Sequence, residues 1–116
     1  MKETGISSDL IRGNIDTIIL RVLCDADNYG YEIIKAIYKK SRGRYELKEP
    51  SLYTSLKRLE GQKLIESYWG DESQGGRRKY YKITTAGVEA FHRNLAEWKA
   101  GRQLIDELLE EGGEGE

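Results

Sequence analysis

A mainly α-helical (α+β) fold is predicted for this chain, with one β-hairpin set between three short helices and a long final one. Three observations carry it. Apolar residues recur at helical spacing in four separate segments, and the β-like stretches flank a single Gly-containing loop at 70–79. The third is size: 116 residues with 38% apolar content suit the modest core of one domain. No run of about 18 apolar residues occurs, so no membrane span is expected. The start MKETGISSDL lacks the basic residues and apolar stretch of a signal peptide, which points to a cytoplasmic protein.

The first helix is expected over 8–24, where Ile11, Ile15, Ile18 and Val22 form a stripe that Ile19 and Leu23 widen. Ser7, Ser8 and Asp9 are its candidate N-caps. Cys24, the one cysteine, lies on this apolar segment and is expected as a buried free thiol. DADNYG then breaks the pattern. A second helix is predicted from about Tyr29 to Ser41, with Ile33, Ile34, Ile37 and Tyr38 available to the core, and SRGR (41–44) follows as a connector. Pro50 announces the third helix, since proline suits a first turn that needs no intrahelical donor. Leu52, Leu56 and Leu59 are its apolar stripe, and GQK (61–63) ends it.

Residues 64–69 and Lys79–Ile83 read as the two strands of the hairpin. Adjacent Tyr80 and Tyr81 must point to opposite faces, one towards the helices and one away. The connecting loop is too long for a two-residue turn, and its tip, with Gly75 and Gly76, is expected to be mobile and to allow close backbone approach. Asp71 and Glu72 are placed to pair with the loop's arginines. The last helix begins near Thr84 or Thr85. Val88, Phe91, Leu95, Trp98, Arg102, Ile105 and Leu109 hold a heptad register along it, with one charged member. The chain thus divides into a three-helix and hairpin unit (1–84), a dimerisation helix (85–110) packed on helix 8–24, and a disordered acidic tail (111–116).

The net charge of −1 conceals an asymmetry. Residues 106–116 hold six acids and no base; without them 19 bases face 14 acids, a balance of +5. The bases concentrate in 35–48, at Lys57 and Arg58, and in RRKYYK (77–82). Three helices followed by a hairpin with a basic loop is the order of a winged helix-turn-helix. There the third helix enters the DNA major groove and the loop, or wing, reaches the flanking backbone or minor groove. Advancing about 100° per residue from Leu52, Leu56 and Leu59 stay within about 40° of it. Ser51, Thr54, Lys57 and Arg58 fall on the far side, between about 140° and 260°, with Tyr53 on the shoulder. Small hydroxyls and two cations suit phosphates and base edges, and Arg58 is a candidate for bidentate contact with guanine. A merely solvated helix face has a similar composition. Arg77, Arg78 and Lys79 are consecutive, so alternation cannot hide them all on one strand face.

ADNYGYEII (26–34), SLYTSLKRLE (51–60) and SYWGDESQGGRRKYYKIT (67–84) together resemble the PadR family of bacterial transcriptional regulators, and within it the small multidrug-binding subgroup. The similarity spans about residues 8–109. It implies a homodimeric repressor bound to an inverted-repeat operator in double-stranded DNA. Ser51, Tyr53, Thr54, Lys57 and Arg58 would face the major groove, and the 70–79 loop would be the wing.

Helices one and four then form the partner surface, through Ile11, Ile15, Phe91, Leu95, Trp98, Ile105 and Leu109. In the subgroup a central tryptophan pair stacks flat aromatic ligands, and Trp98 falls at the matching position. Ile15, Leu95 and Arg102 accompany Trp98 in that expected site; the alternative is that Trp98 only anchors the interface. A cation at Arg102 repels cationic drugs and suits a planar anion, such as the phenolic acids the wider family senses, unless Asp106 or an acid of the first helix, such as Asp9 or Asp16, neutralises it.

The competing function is a winged-helix protein-interaction module whose basic loop meets an acidic partner. An enzyme finds no support. His92 is the only histidine, and no metal-spaced Cys/His set, nucleophile–base pair or glycine-rich phosphate motif is present. No catalytic residue, metal or cofactor is expected.

Overall fold

Apolar side chains from every long element converge on the leucine stripe of the third predicted helix. The structure, a computed structural model, describes residues 8–70 and 77–111. In chain order the elements are α1 (Ser8–Arg12), α2 (Ile15–Asp25), β1 (Asn28–Tyr29), α3 (Gly30–Lys40), α4 (Glu49–Gly61), β2 (Ile65–Trp69), β3 (Lys79–Ile83) and α5 (Thr85–Leu109). Leu52, Leu56 and Leu59 of α4 are buried against Ile19, Leu20 and Leu23 of α2, Ile33 and Ile37 of α3, and Ile65 of β2. This is the winged-helix arrangement of a mainly helical chain with one small antiparallel sheet.

Two parts of the chain depart from expectation. The predicted helix 8–24 is two helices, interrupted at Gly13–Asn14. Glycine costs a helix about 1 kcal/mol relative to alanine, and here the Asn14 amide bonds back to the Ile11 carbonyl at 2.8 Å. The apolar residues of this segment then serve two surfaces. Ile15, Ile19 and Leu23 enter the core, whereas Ile11, Ile18 and Val22 are only partly covered. The DADNYG break also contains a strand. Asn28 and Tyr29 pair antiparallel with Tyr81 and Tyr80, giving the sheet order β1-β3-β2.

Two smaller differences follow. Cys24 is exposed rather than buried, because it lies one residue, or about 100° of helix rotation, past the buried Leu23. Tyr38 is exposed, although Ile33 and Ile37 on the same helix are core. Ser7, the Asp71, Glu72, Gly75 and Gly76 of the loop tip, and the tail from 112 onward lie outside the described residues.

The hairpin and α5 are joined tightly. β2 and β3 pair from Ile65↔Ile83 to Trp69↔Lys79, which turns Tyr81 into the core and Tyr80 to the other face. The Thr84 hydroxyl caps α5 by accepting the Gly87 amide at 3.0 Å, and it donates to the Lys63 carbonyl at 2.9 Å. Gly87 is there because the chain crosses itself: a Cβ would overlap the Leu64 carbonyl oxygen and lie 2.6 Å from Ile83 Cγ1. The first half of α5 packs on α2, where Phe91 is buried and Asn94 donates to the Thr17 hydroxyl at 3.1 Å. No helix among the described residues is long and apolar enough to cross a membrane.

Candidate nucleic-acid interface

Burying Leu52, Leu56 and Leu59 leaves the opposite side of α4 in solvent, and Ser51, Tyr53, Thr54, Lys57 and Arg58 are all exposed there. Their environments differ. The Thr54 hydroxyl donates to the Pro50 carbonyl at 2.9 Å, which leaves its oxygen to accept. Lys57 forms no ion pair among the described residues. Tyr53 leans over the start of α3, where a Cβ at Gly30 would stand 2.9 Å from its Cζ; glycine permits that approach.

Arg58 is held. Its Nε and one terminal nitrogen donate to the two carboxylate oxygens of Asp16 on α2, each at 2.8 Å, and the same terminal nitrogen reaches Ser55 Oγ at 3.2 Å. Burial alone would raise the Asp16 pKa. The bonds from Arg58 and Ser55 outweigh it and hold the carboxyl below its usual range, so the pair is charged at neutral pH.

The three bases at the root of the wing are exposed, and each lies over an aromatic ring. Arg77 stands 5.0 Å from the Trp69 ring centre, Arg78 4.8 Å from that of Tyr29, and Lys79 6.0 Å from that of Tyr81. Behind them Tyr80 stacks on Tyr68 at 5.7 Å and meets Tyr29 edge-on at 5.4 Å. The Tyr68 hydroxyl donates to Asp27 at 2.6 Å, and that bond raises its pKa. The sequence alone did not single out Tyr29, Tyr68 or Trp69, nor the Asp16–Arg58 pair. The one signal that could have found the rings was an unusual wealth of tyrosine, eight in the chain, three of them in the hairpin.

A crevice of about 410 Å³ lies between α4 and the wing root, lined by Tyr53 of α4, Arg78 and Lys79 of the wing root, and Tyr29, Gly30 and Tyr31 at the start of α3. α3 has no side-chain cap at its N-terminus. The start of α3, the positive end of its dipole, borders this crevice beside the two cations.

A groove of about 580 Å³ runs between α1–α2 and α5. Trp98, Leu95 and Arg102 line it, with Ile11 and Phe91 beneath. Ile15 does not; it is buried and borders instead a crevice beside Ser51 and Arg58. Arg102 lies over the Trp98 ring at 5.4 Å, while Asp9 pairs with Arg12 and Asp16 with Arg58. Beyond the groove the apolar residues of α5 are mostly exposed: Ile105 is 55% and Leu109 74% exposed. His92 is also exposed on α5, and no group of His, Cys, Asp and Glu among the described residues could hold a metal ion.

Residues 19–93 match the family model for the transcriptional regulator PadR-like family. The chain is 43% identical to a transcriptional regulator from Clostridium thermocellum of known structure, with a TM-score of 0.83 over 90% of this chain and 99% of that one. A PadR family transcription regulator from Clostridium difficile R20291 is 39% identical, with a TM-score of 0.71 over 84% and 99% of the two chains. An uncharacterized protein of Lysinibacillus sphaericus is 42% identical over 105 residues, 90% of this chain and 96% of its own. With the exposed α4 face and the cationic wing root in place, these likenesses converge: the chain belongs to the PadR-like family of winged-helix, DNA-binding transcriptional regulators.

Proposed function

We propose that the protein is a homodimeric repressor that binds an inverted-repeat operator through α4 and the wing, and that a planar aromatic ligand at the dimer centre releases it. The crevice between Tyr53 and the Arg78–Lys79 pair carries the DNA part of this reading. It brings one residue of the recognition helix, two wing cations and an uncapped helix N-terminus round a single opening that suits a backbone phosphate. Phosphate contacts there fix the register, and Ser51, Thr54 and Lys57 meet the groove. Lys57→Ala is expected to weaken duplex binding roughly fivefold at about 0.15 M salt and to flatten the log–log salt slope by about 0.9. Fluorescence-anisotropy titrations at several salt concentrations measure both. A wild-type protein without salt-steep affinity would instead favour a module for an acidic protein partner.

Exposed apolar residues along the distal half of α5 support the dimer, since a patch of this kind is not left to water in a soluble regulator. A two-fold axis there would set two recognition helices against half-sites about 34 Å apart. Two copies of the Trp98 groove would then face each other, as in the small multidrug-binding subgroup. With Arg102 already over the indole, a planar anion gains both a ring and a cation. Titration with a planar phenolate-type acid is expected to quench tryptophan fluorescence, and a planar cation of equal size to do so more weakly. The reverse order would remove the anion preference.

A further inference from the structure

We infer that Asp16 suppresses sequence-independent DNA binding by occupying the guanidinium of Arg58. The inference rests on the DNA-binding reading of α4 and concerns a residue outside that helix. Asp16 and Arg58 are 42 positions apart, and their bidentate contact is the ion pair that ties α2 to the recognition helix. Arg58 sits on the same outer face as Ser51 and Thr54, yet its planar fork is already matched by a carboxylate, the same geometry that phosphate or the guanine edge would offer. Ser55, buried beneath, takes a further hydrogen bond from the same terminal nitrogen and fixes the side chain against its own helix.

The exchange explains the consequence. At an arbitrary phosphate, Arg58 would give up two short charge-assisted bonds to make similar ones, and would leave the Asp16 carboxylate close to the DNA backbone. Little is gained, so Arg58 stays with Asp16 and releases no counterion. The pair remains half open to solvent, with side-chain exposures of 49% for Arg58 and 30% for Asp16, so a better partner can still compete. Lys57, one residue away and without an ion pair among the described residues, has no such restraint. The recognition helix thus presents one cation ready for any phosphate and one withheld from it.

The test uses the full-length protein and a short mixed-sequence duplex with no inverted repeat, titrated across a range of salt. Asp16→Asn is expected to raise affinity roughly fivefold at about 0.15 M salt and to steepen the log–log slope by about 0.9, one released counterion. Asp16→Ala should do the same, and thermal melting confirms that both variants are folded. Arg58→Gln added to Asp16→Asn, which removes both charges of the pair, should return the slope to the wild-type value. A double-variant slope shallower than the wild type by about 0.9 would overturn the inference, because Arg58 would already be on phosphate in the wild type. So would folded Asp16 variants with unaltered binding. If the wild-type protein shows no salt-dependent affinity for any duplex, the reading of α4 as a DNA helix fails instead, and the ion pair is not the cause.

Discussion

Replacing Arg77, Arg78 and Lys79 together with alanine is expected to weaken operator binding about a hundredfold at about 0.15 M salt and to flatten the log–log slope by about 2.7. The size follows from withdrawing three phosphate-neutralising cations at once, each worth about 0.9 in slope. What makes these three side chains effective is their seating. Long cationic side chains lose rotamer entropy when they order on a partner. Here Trp69, Tyr29 and Tyr81 supply surfaces on which the cations rest before DNA arrives. The rings belong to all three strands, so the pairing of β1 with β3 helps to fix where the charges stand. Anisotropy titrations of the triple variant against the wild type measure the slope directly. A slope that does not change would show that the wing root stays off the backbone.

Ile105→Glu combined with Leu109→Glu is expected to convert the protein to a monomer at micromolar concentration without unfolding it. Neither side chain belongs to the core, and both are more than half exposed, so their loss costs the isolated chain little. Against a second copy the same residues are worth about 1.5–3 kcal/mol each when buried, and a two-fold axis counts them twice. Burying four carboxylates there would be prohibitive. Sedimentation equilibrium should show the monomer mass while circular dichroism keeps its helical signal. Operator affinity should fall by about 10²–10⁴, the factor by which linking two sites exceeds one. A variant that keeps the wild-type mass would place the partner surface elsewhere.

Much of the fold was readable because its signals are local. The spacing of Leu52, Leu56 and Leu59, the proline at 50 and the threonine at 84 each announce an element within a few residues, and β3 has the predicted bounds. The break at Gly13–Asn14 was hidden because the apolar repeat continues across it. β1 was hidden because two residues cannot display alternation; its existence depends on Tyr80 and Tyr81, some fifty positions away.

The exposed face of α4 followed from the helical wheel, since burying one side leaves only the other. Its electrostatics did not follow. Nothing near Arg58 in the sequence reveals that Asp16 takes its charge, and nothing near Arg78 reveals that Tyr29 lies beneath it. Such pairings are made by the tertiary fold and have no sequence period.

The distal half of α5 has a consequence for how such regulators diversify. Its side chains contribute nothing to the core, so substitutions there escape the selection that preserves folding. The winged unit must keep its leucines, its crossing glycine and its capping threonine, while folding makes no such demand on the far end of α5. On the dimeric reading proposed above, changes there would alter how two copies meet, and with it the spacing of the DNA sites they span, while the reading head stays intact.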